Sequence, residues 1–306
     1  MLIEALHRQS GMPVENLRWL SLTASYRYKS YEIPKANGGL RTIHHPSRAL
    51  KGIQRWISRF LFRRLPVHSA AAAYVRGVGI RENAAAHAGS NFTLRLDFKD
   101  FFPSFSRENI ELFLKIRSDE FDLGLSLDDI LFTSHIVSRY DKLTIGAPSS
   151  PPLTNVMMFD FDEQMAELAR TKGLIYTRYA DDLFLSSNRS NNLNDLPLLV
   201  SEISNAYPYA KLKLNNEKTA FLSKKYKRSV TGLILTTDGK ISIGRSKKRE
   251  IKSLVFDYTK REINDIELER LRGYVSYIKD VDPDFFFALT KKYGSSVIRD
   301  LTHKQP

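Results

Sequence analysis

The chain has 306 residues, 42% hydrophobic and 11% aromatic, enough apolar material for a large core in two or three subdomains and too much for a disordered adaptor. It contains no cysteine, which excludes disulfides, thiolate zinc or iron–sulfur sites and cysteine nucleophiles, so any metal must be held by oxygen or histidine. The net charge of +13 points to an acidic partner and is unevenly placed: residues 1–70 carry 12 Lys and Arg against 3 Asp and Glu, residues 211–261 carry 15 against 4, and residues 71–210 carry 13 against 19.

The opening "MLIEALHRQSGMPVENLRWLSL" is helical in pattern and lacks the unbroken apolar stretch of a signal peptide. No segment reaches the roughly 20 apolar residues of a membrane span, so a cytoplasmic location with no membrane partner is expected. Next, "YRYKSYEIPKANGGLRTIHHPS" predicts a hairpin turning at "NGG", with Lys35 and Arg41 on either side. "RALKGIQRWISRFLFRRL" has apolar residues at helical spacing and Arg on its other faces, which fits a solvated amphipathic helix or one facing phosphates. In "NAAAHAGSN", Asn83 and His87 would share one face of a helix. In "FTLRLDF", Phe92, Leu94, Leu96 and Phe98 alternate with Thr93, Arg95 and Asp97, so Asp97 points away from the apolar face of a strand.

The pattern predicts helix from about Asn109 to Arg139, a break at "KLTIGAPSSPPLTN", and helix again from Asn155 to Thr171. "LIYTRYADDLFLSS" then reads as two apolar strands joined by a turn that holds Asp181 and Asp182. Adjacent carboxylates raise the cost of ionising one another. Asp is an ordinary turn former, but a bound divalent cation reverses the local electrostatics and makes such a pair favourable. Asp97 on its strand supplies a third carboxylate. Three such oxygen donors suit two Mg²⁺ ions, or Mn²⁺ on the same ligands, in displacement at a nucleoside triphosphate. A helix from Leu196 to Ala206, the strand-like "AKLKLN", a hairpin turn at "TTDGK" and a helical tail complete the chain. Interleaved helices and antiparallel hairpins indicate an α+β fold.

Several of these motifs together resemble the reverse transcriptases, over most of the chain. "YADD" is similar to their active-site hairpin, and "LDFKDFFPSF" to the strand that carries their first catalytic Asp. "IPKANGGLRTI" is similar to their fingers hairpin, "GAPSSP" to the loop beside nucleotide and template, and "NNEKT" to a motif with a lysine near the triphosphate. "NAAAH" and "VTG", lying in order around "YADD", resemble the two motifs of bacterial retron enzymes. The resemblance implies a right-hand polymerase, with the N-terminal region and fingers at 1–90, a palm with interleaved fingers elements at 91–225, and the palm end with a small, basic helical thumb at 226–306. The thumb's cations, with Tyr226 and Tyr258 nearby, suit an RNA grip.

Residue by residue, the resemblance implies that Asp97, Asp181 and Asp182 are the catalytic metal ligands and that Lys35, Arg41 and Lys218 contact the triphosphate. It makes Phe102 the gate that crowds a ribose 2′-hydroxyl, places Gly146 beside the nucleotide, and assigns Asn83, His87, Val230, Thr231 and Gly232 to RNA binding or initiation. Ile145 stands where the family usually has Gln and is left out of the implied site. The implied reaction begins at the 2′-hydroxyl of an internal guanosine in the cognate noncoding RNA (msr-msd). Deoxynucleoside triphosphates are then joined into branched, RNA-linked msDNA, in an antiphage system with an effector protein from the same operon. No second acidic cluster stands out for a nuclease, so RNA removal is expected to fall to host RNase H. The competing readings are a reverse transcriptase of group II intron or diversity-generating type, and a catalytically idle RNA-binding scaffold that holds an effector.

Overall fold

The computed structural model describes residues 1–35 and 38–302, so Asn37 of the "NGG" turn lies outside the described residues. Helices α1 (Leu2–Ser10) and α2 (Val14–Leu22) precede β1 (Tyr28–Pro34) and β2 (Leu40–Pro46), an antiparallel hairpin that sets Ile33 opposite Arg41. Helix α3 (Arg48–Phe60) starts at Ser47, whose hydroxyl caps the Leu50 N–H, and buries Leu50, Ile53, Gln54 and Ile57 along one stripe. Helix α4 (Ile80–Ala88) leads into β3 (Phe92–Asp97).

The helical stretch expected over 109–139 is two helices, α5 (Arg107–Glu120) and α6 (Leu127–Val137). The chain turns at Gly124, with φ +63°, and restarts at Ser126, which caps Asp129. The next expected helix starts earlier and is also divided, into α7 (Ser150–Met157) and α8 (Phe159–Lys172). Its prolines fall in the first turn of α7, where a missing N–H breaks no helical bond. Strands β4 (Ile175–Tyr179) and β5 (Asp182–Ser187), helix α9 (Leu196–Ala206) and strand β6 (Ala220–Ser223) follow. "AKLKLN" makes only an isolated bridge, Leu214 to Phe98.

The four strands form one antiparallel sheet in the order β4-β5-β3-β6. Leu94, Leu96, Leu183, Leu185 and Tyr176 face one side, in a core shared with Phe161 and Met165 of α8. The opposite face is mainly polar: Thr93, Arg95 and Asp97 stand across from Ser186, Phe184 and Asp182 in register. Beyond the sheet come the short strands β7 (Arg228–Val230), β8 (Leu233–Leu235) and β9 (Ile241–Ser242), then α10 (Arg245–Lys260), α11 (Asp265–Val281), α12 (Pro283–Tyr293) and α13 (Ser295–Thr302). Their core is a second cluster, and it takes in Ala84 and Ala88 of α4 and Phe184 of β5. Among the described residues no helix is long and apolar enough to cross a membrane.

Candidate active site

Tyr179 of β4 pairs with Asp182 of β5, leaving Ala180 and Asp181 as a two-residue turn. Such turns match the twist of a hairpin when the first loop residue has positive φ, a place usually given to glycine. Here it is Ala180, at φ +57°, and the left-handed conformation costs an L-residue about 1–2 kcal/mol. Two bonds hold the turn in place: the Phe98 N–H donates to the Asp181 carbonyl at 3.0 Å, and Arg178 Nη1 donates to the Ala180 carbonyl at 3.3 Å. Arg178 is itself fully buried, with Nε and Nη2 forked onto Asp162 at 2.8 and 2.6 Å and Nη1 reaching Asn155. Residue-level reading of the sequence passed over Arg178 and Asp162. Their one signal was an Arg at an inward position of a strand otherwise apolar on that side.

Asp97 and Asp182 are direct cross-strand partners at the end of the polar sheet face, and Asp181 adjoins them on the turn. Burial, then the charges of Asp181 and Asp97, pushes Asp182 up to about 7. Asp181 is also raised, chiefly by burial with the Asp97 charge adding to it, while Lys218 and Arg41 oppose the rise. Arg41 therefore lies within electrostatic reach of the turn. Lys218 donates to both carboxylate oxygens of Asp97, at 2.8 and 2.9 Å, and that bond raises its own pKa. Among the described residues no three His, Asp or Glu side chains already enclose an ion site, and at Asp97 the Lys218 ammonium supplies the countercharge. The donor set nevertheless fits hard divalent cations: it is all oxygen and crowded with like charge, and a bound cation would offset the burial and mutual repulsion that raise Asp181 and Asp182.

Phe102 lies in the turn after β3, half buried and tilted against Phe101, while Phe101 and Phe105 are in the core. Gly146 has φ +106° and lies against β2, where the His44 N–H donates to the Ile145 carbonyl at 2.9 Å. Lys35 is exposed, with its N–H bonded to the Gly39 carbonyl. Arg95, which sequence reading left without a role, lies on the same face as the carboxylates, lowers the pKa of Asp182, and has a buried Nε without a partner.

The other five predicted residues form a separate cluster. Asn83 and His87 share a face of α4, as their spacing predicts, but that face is buried against the sheet. His87 Nδ1 meets the Ser186 hydroxyl and Nε2 meets the Thr177 hydroxyl, each at 2.7 Å. Thr177 donates to Asn83 Oδ1, and Ser186 also bonds Thr93. With 1% and 0% exposure, the side chains of Asn83 and His87 are spent on packing α4 against the sheet. Val230 is buried too, Thr231 at φ +46° and Gly232 at φ +83° make the tight β7–β8 turn, and Thr231 Oγ1 donates to the Ile80 carbonyl at 3.0 Å. The two motifs, far apart in sequence, thus meet at α4 and join the central sheet to the C-terminal core.

Residues 33–254 match the sequence model of the family described as reverse transcriptase (RNA-dependent DNA polymerase). The chain is 34% identical over 280 residues to the retron Ec83 reverse transcriptase of Escherichia coli, across 90% of this chain and 89% of that protein. It is 32% identical over 304 residues to the Escherichia coli retron Ec86 reverse transcriptase, across 95% and 90%. Among solved structures, a Candida albicans telomerase in complex with a telomeric RNA fragment superposes with a TM-score of 0.52 at 13% identity. That alignment covers 90% of this chain and 63% of the telomerase chain, and it shows a shared fold: the right-hand polymerase architecture expected from the motifs.

Proposed function

The chain belongs to the reverse transcriptases, in their retron branch, and is an RNA-directed DNA polymerase; from that premise we propose that it builds branched msDNA on its own noncoding RNA. In this reading Asp97, Asp181 and Asp182 hold two divalent cations, Mg²⁺ or Mn²⁺. When bound, these would lower the pKa of an attacking hydroxyl and neutralise the triphosphate. The observation that carries the reading is the pairing of Asp97 with Asp182 at the sheet end, with Asp181 on a strained turn beside them.

The chain's own groups then orient the reactants. Arg41 and Lys35 on the β1–β2 hairpin neutralise the incoming deoxynucleoside triphosphate from above. Lys218, now bonded to Asp97, exchanges that partner for a phosphate oxygen. Phe102 crowds the position of a 2′-hydroxyl, and Gly146 lets the loop beside the nucleotide close against β2. Asn83, His87, Val230, Thr231 and Gly232 act on RNA indirectly, by fixing the C-terminal helices relative to the sheet, so that the basic α10 grips the RNA. The fingers, palm and thumb are taken as 1–90, 91–225 and 226–306. The first acceptor is the 2′-hydroxyl of an internal guanosine, host RNase H trims the template, and the hybrid serves antiphage defence with an effector of the same operon.

The test is to purify the protein with the RNA transcribed beside its gene, supply labelled deoxynucleotides and Mg²⁺, and treat the product with a debranching enzyme. A labelled DNA released from RNA by that enzyme is the expected result. DNA made only from an added primer would retain the polymerase and reject the branched product.

A further inference from the structure

The outer face of α3 carries a run of positive charge that the polymerase site does not use. Arg48, Arg55 and Arg59 are spaced seven and four apart, one stripe of the helix opposite buried Leu50, Ile53 and Ile57. The stripe spans about 17 Å at about 1.5 Å per residue. From Arg27 to Arg76 the chain holds eleven Lys and Arg and a single acid, Glu32.

Two hollows lie along this helix and share Arg55. The first, of about 630 Å³, is lined by Tyr26, Lys29, Arg48, Lys51 and Arg55 among others, and the second, of about 620 Å³, by Arg55, Arg59, Arg63, Tyr74 and Arg76 among others. Among the described residues no carboxylate lines either one. The second reaches the base of the active-site turn, since its lining includes Asn155, which accepts from the same Arg178 that holds the Ala180 carbonyl. The first lies away from it, at the base of the β1–β2 hairpin.

The first hollow also presents an aromatic ring, Tyr26. Tyr26 is 77% exposed and meets Tyr140 edge-on, with centroids 6.0 Å apart. Tyr140 is itself held out on a turn in which it and Asp141 both have positive φ, +45° and +62°. Arg27 stacks on Trp19 and Arg139 on Tyr140, each 4.5 Å from the ring centroid. A line of cations beside the open ring of Tyr26 is what an unpaired nucleic-acid strand requires: phosphates meet the charges and a base stacks on the ring. A duplex would use the cations and leave the ring idle. An acidic protein would do the same.

We propose that this hollow is an anchor for an unpaired segment of RNA, outside the polymerase cleft and continuous with it along α3. The proposal rests on the reading of the protein as a polymerase that acts on a folded RNA. The anchor fixes one single-stranded stretch of that RNA while the cleft works on another.

The test measures fluorescence anisotropy of labelled dodecauridine with protein whose cleft is already saturated by a blunt RNA–DNA hybrid. The wild type is compared with the triple variant Arg48→Gln, Lys51→Gln, Arg55→Gln and with Tyr26→Ala. Extension of oligo(dT) on poly(rA) checks that each variant is folded. The triple variant is expected to bind dodecauridine at least tenfold more weakly and to lower the salt slope by about 2, at about 0.7 per lost phosphate contact on a single strand. Tyr26→Ala is expected to weaken binding about fivefold or more, and Tyr26→Phe to restore it, because the ring supplies the stacking. Unchanged affinity and slope, with extension intact, overturn the inference alone. Poly-glutamate that displaces the probe as well as RNA does, with no effect of Tyr26→Ala, also overturns it, in favour of a general anion surface. A wild type that binds dodecauridine yet never extends a primer overturns the polymerase reading alone.

Discussion

Burial, and then the charge of the neighbouring carboxylates, makes Asp181 and Asp182 harder to ionise, and the protein accepts that cost on a turn already strained at Ala180. Asp181→Asn is expected to reduce primer extension to background while RNA affinity stays within about twofold, because the basic surfaces that set affinity are elsewhere; parallel extension and RNA-binding assays check this. Beneath the turn, the Arg178–Asp162 pair is wholly buried. Arg178→Met leaves buried Asp162 without its countercharge and with only the Tyr176 hydroxyl still donating to it, so unfolding in urea should show a loss of about 3–5 kcal/mol. His87 supplies a pH dependence. Burial, assisted by the Arg228 charge, pushes it down to about 4, so the folded protein keeps it neutral where the unfolded chain protonates it. Stability from this group is full above pH 6.5 and declines as pH falls towards 4, by about 3 kcal/mol in all. Urea midpoints across that range should drop less in His87→Gln. The aspartates were legible in the sequence because their residue type and spacing carry the chemistry. Arg178 was not, because an Arg in a strand shows its role only when Asp162 of another element lies beneath it.

At the level of elements, the hairpins, α9 and the helical tail were readable from alternation and turn residues, and α9 has the bounds that the pattern gives. The two long helical stretches were not readable as pairs of helices. Apolar spacing continues across a break when both pieces pack on the same core, so Gly124 and Met158 gave too little local signal. The loop at Gly146 shows how two elements can depend on one missing side chain. A Cβ there would stand 2.5 Å from the His44 carbonyl oxygen and 2.9 Å from Ile43 Cγ2, and the backbone is at φ +106°. Gly146→Ala must therefore push the β1–β2 hairpin away from the loop. The expected outcome is at least a tenfold fall in kcat/KM for deoxynucleotides with RNA binding retained, measured by steady-state extension.

On the scale of the molecule, the charge division seen in the sequence follows the architecture: α3 and the β1–β2 hairpin are basic, α10 is basic, and the acidic middle of the chain contains β3, β4 and β5 with the aspartates. The sequence did not reveal that α4 belongs to the second core or that its motif meets the β7–β8 turn, since a contact between Ile80 and Thr231 is set by tertiary packing. One face of the sheet carries both assemblies, with Asp182 at one end of β5 and Ser186, four residues and about 13 Å on, at the other. This geometry limits how the gene can vary in length. Deleting one residue such as Leu183 turns either Asp182 or Ser186 to the wrong face, so the carboxylate site and the α4 joint cannot both survive. A scan of single-codon deletions should find 183–185 intolerant and Gly38 and Gly39, exposed before β2, permissive for folding. Drift by insertion and deletion, the commonest route by which loops diverge, is thereby closed to the stretch between the aspartates and the joint, leaving it only substitution.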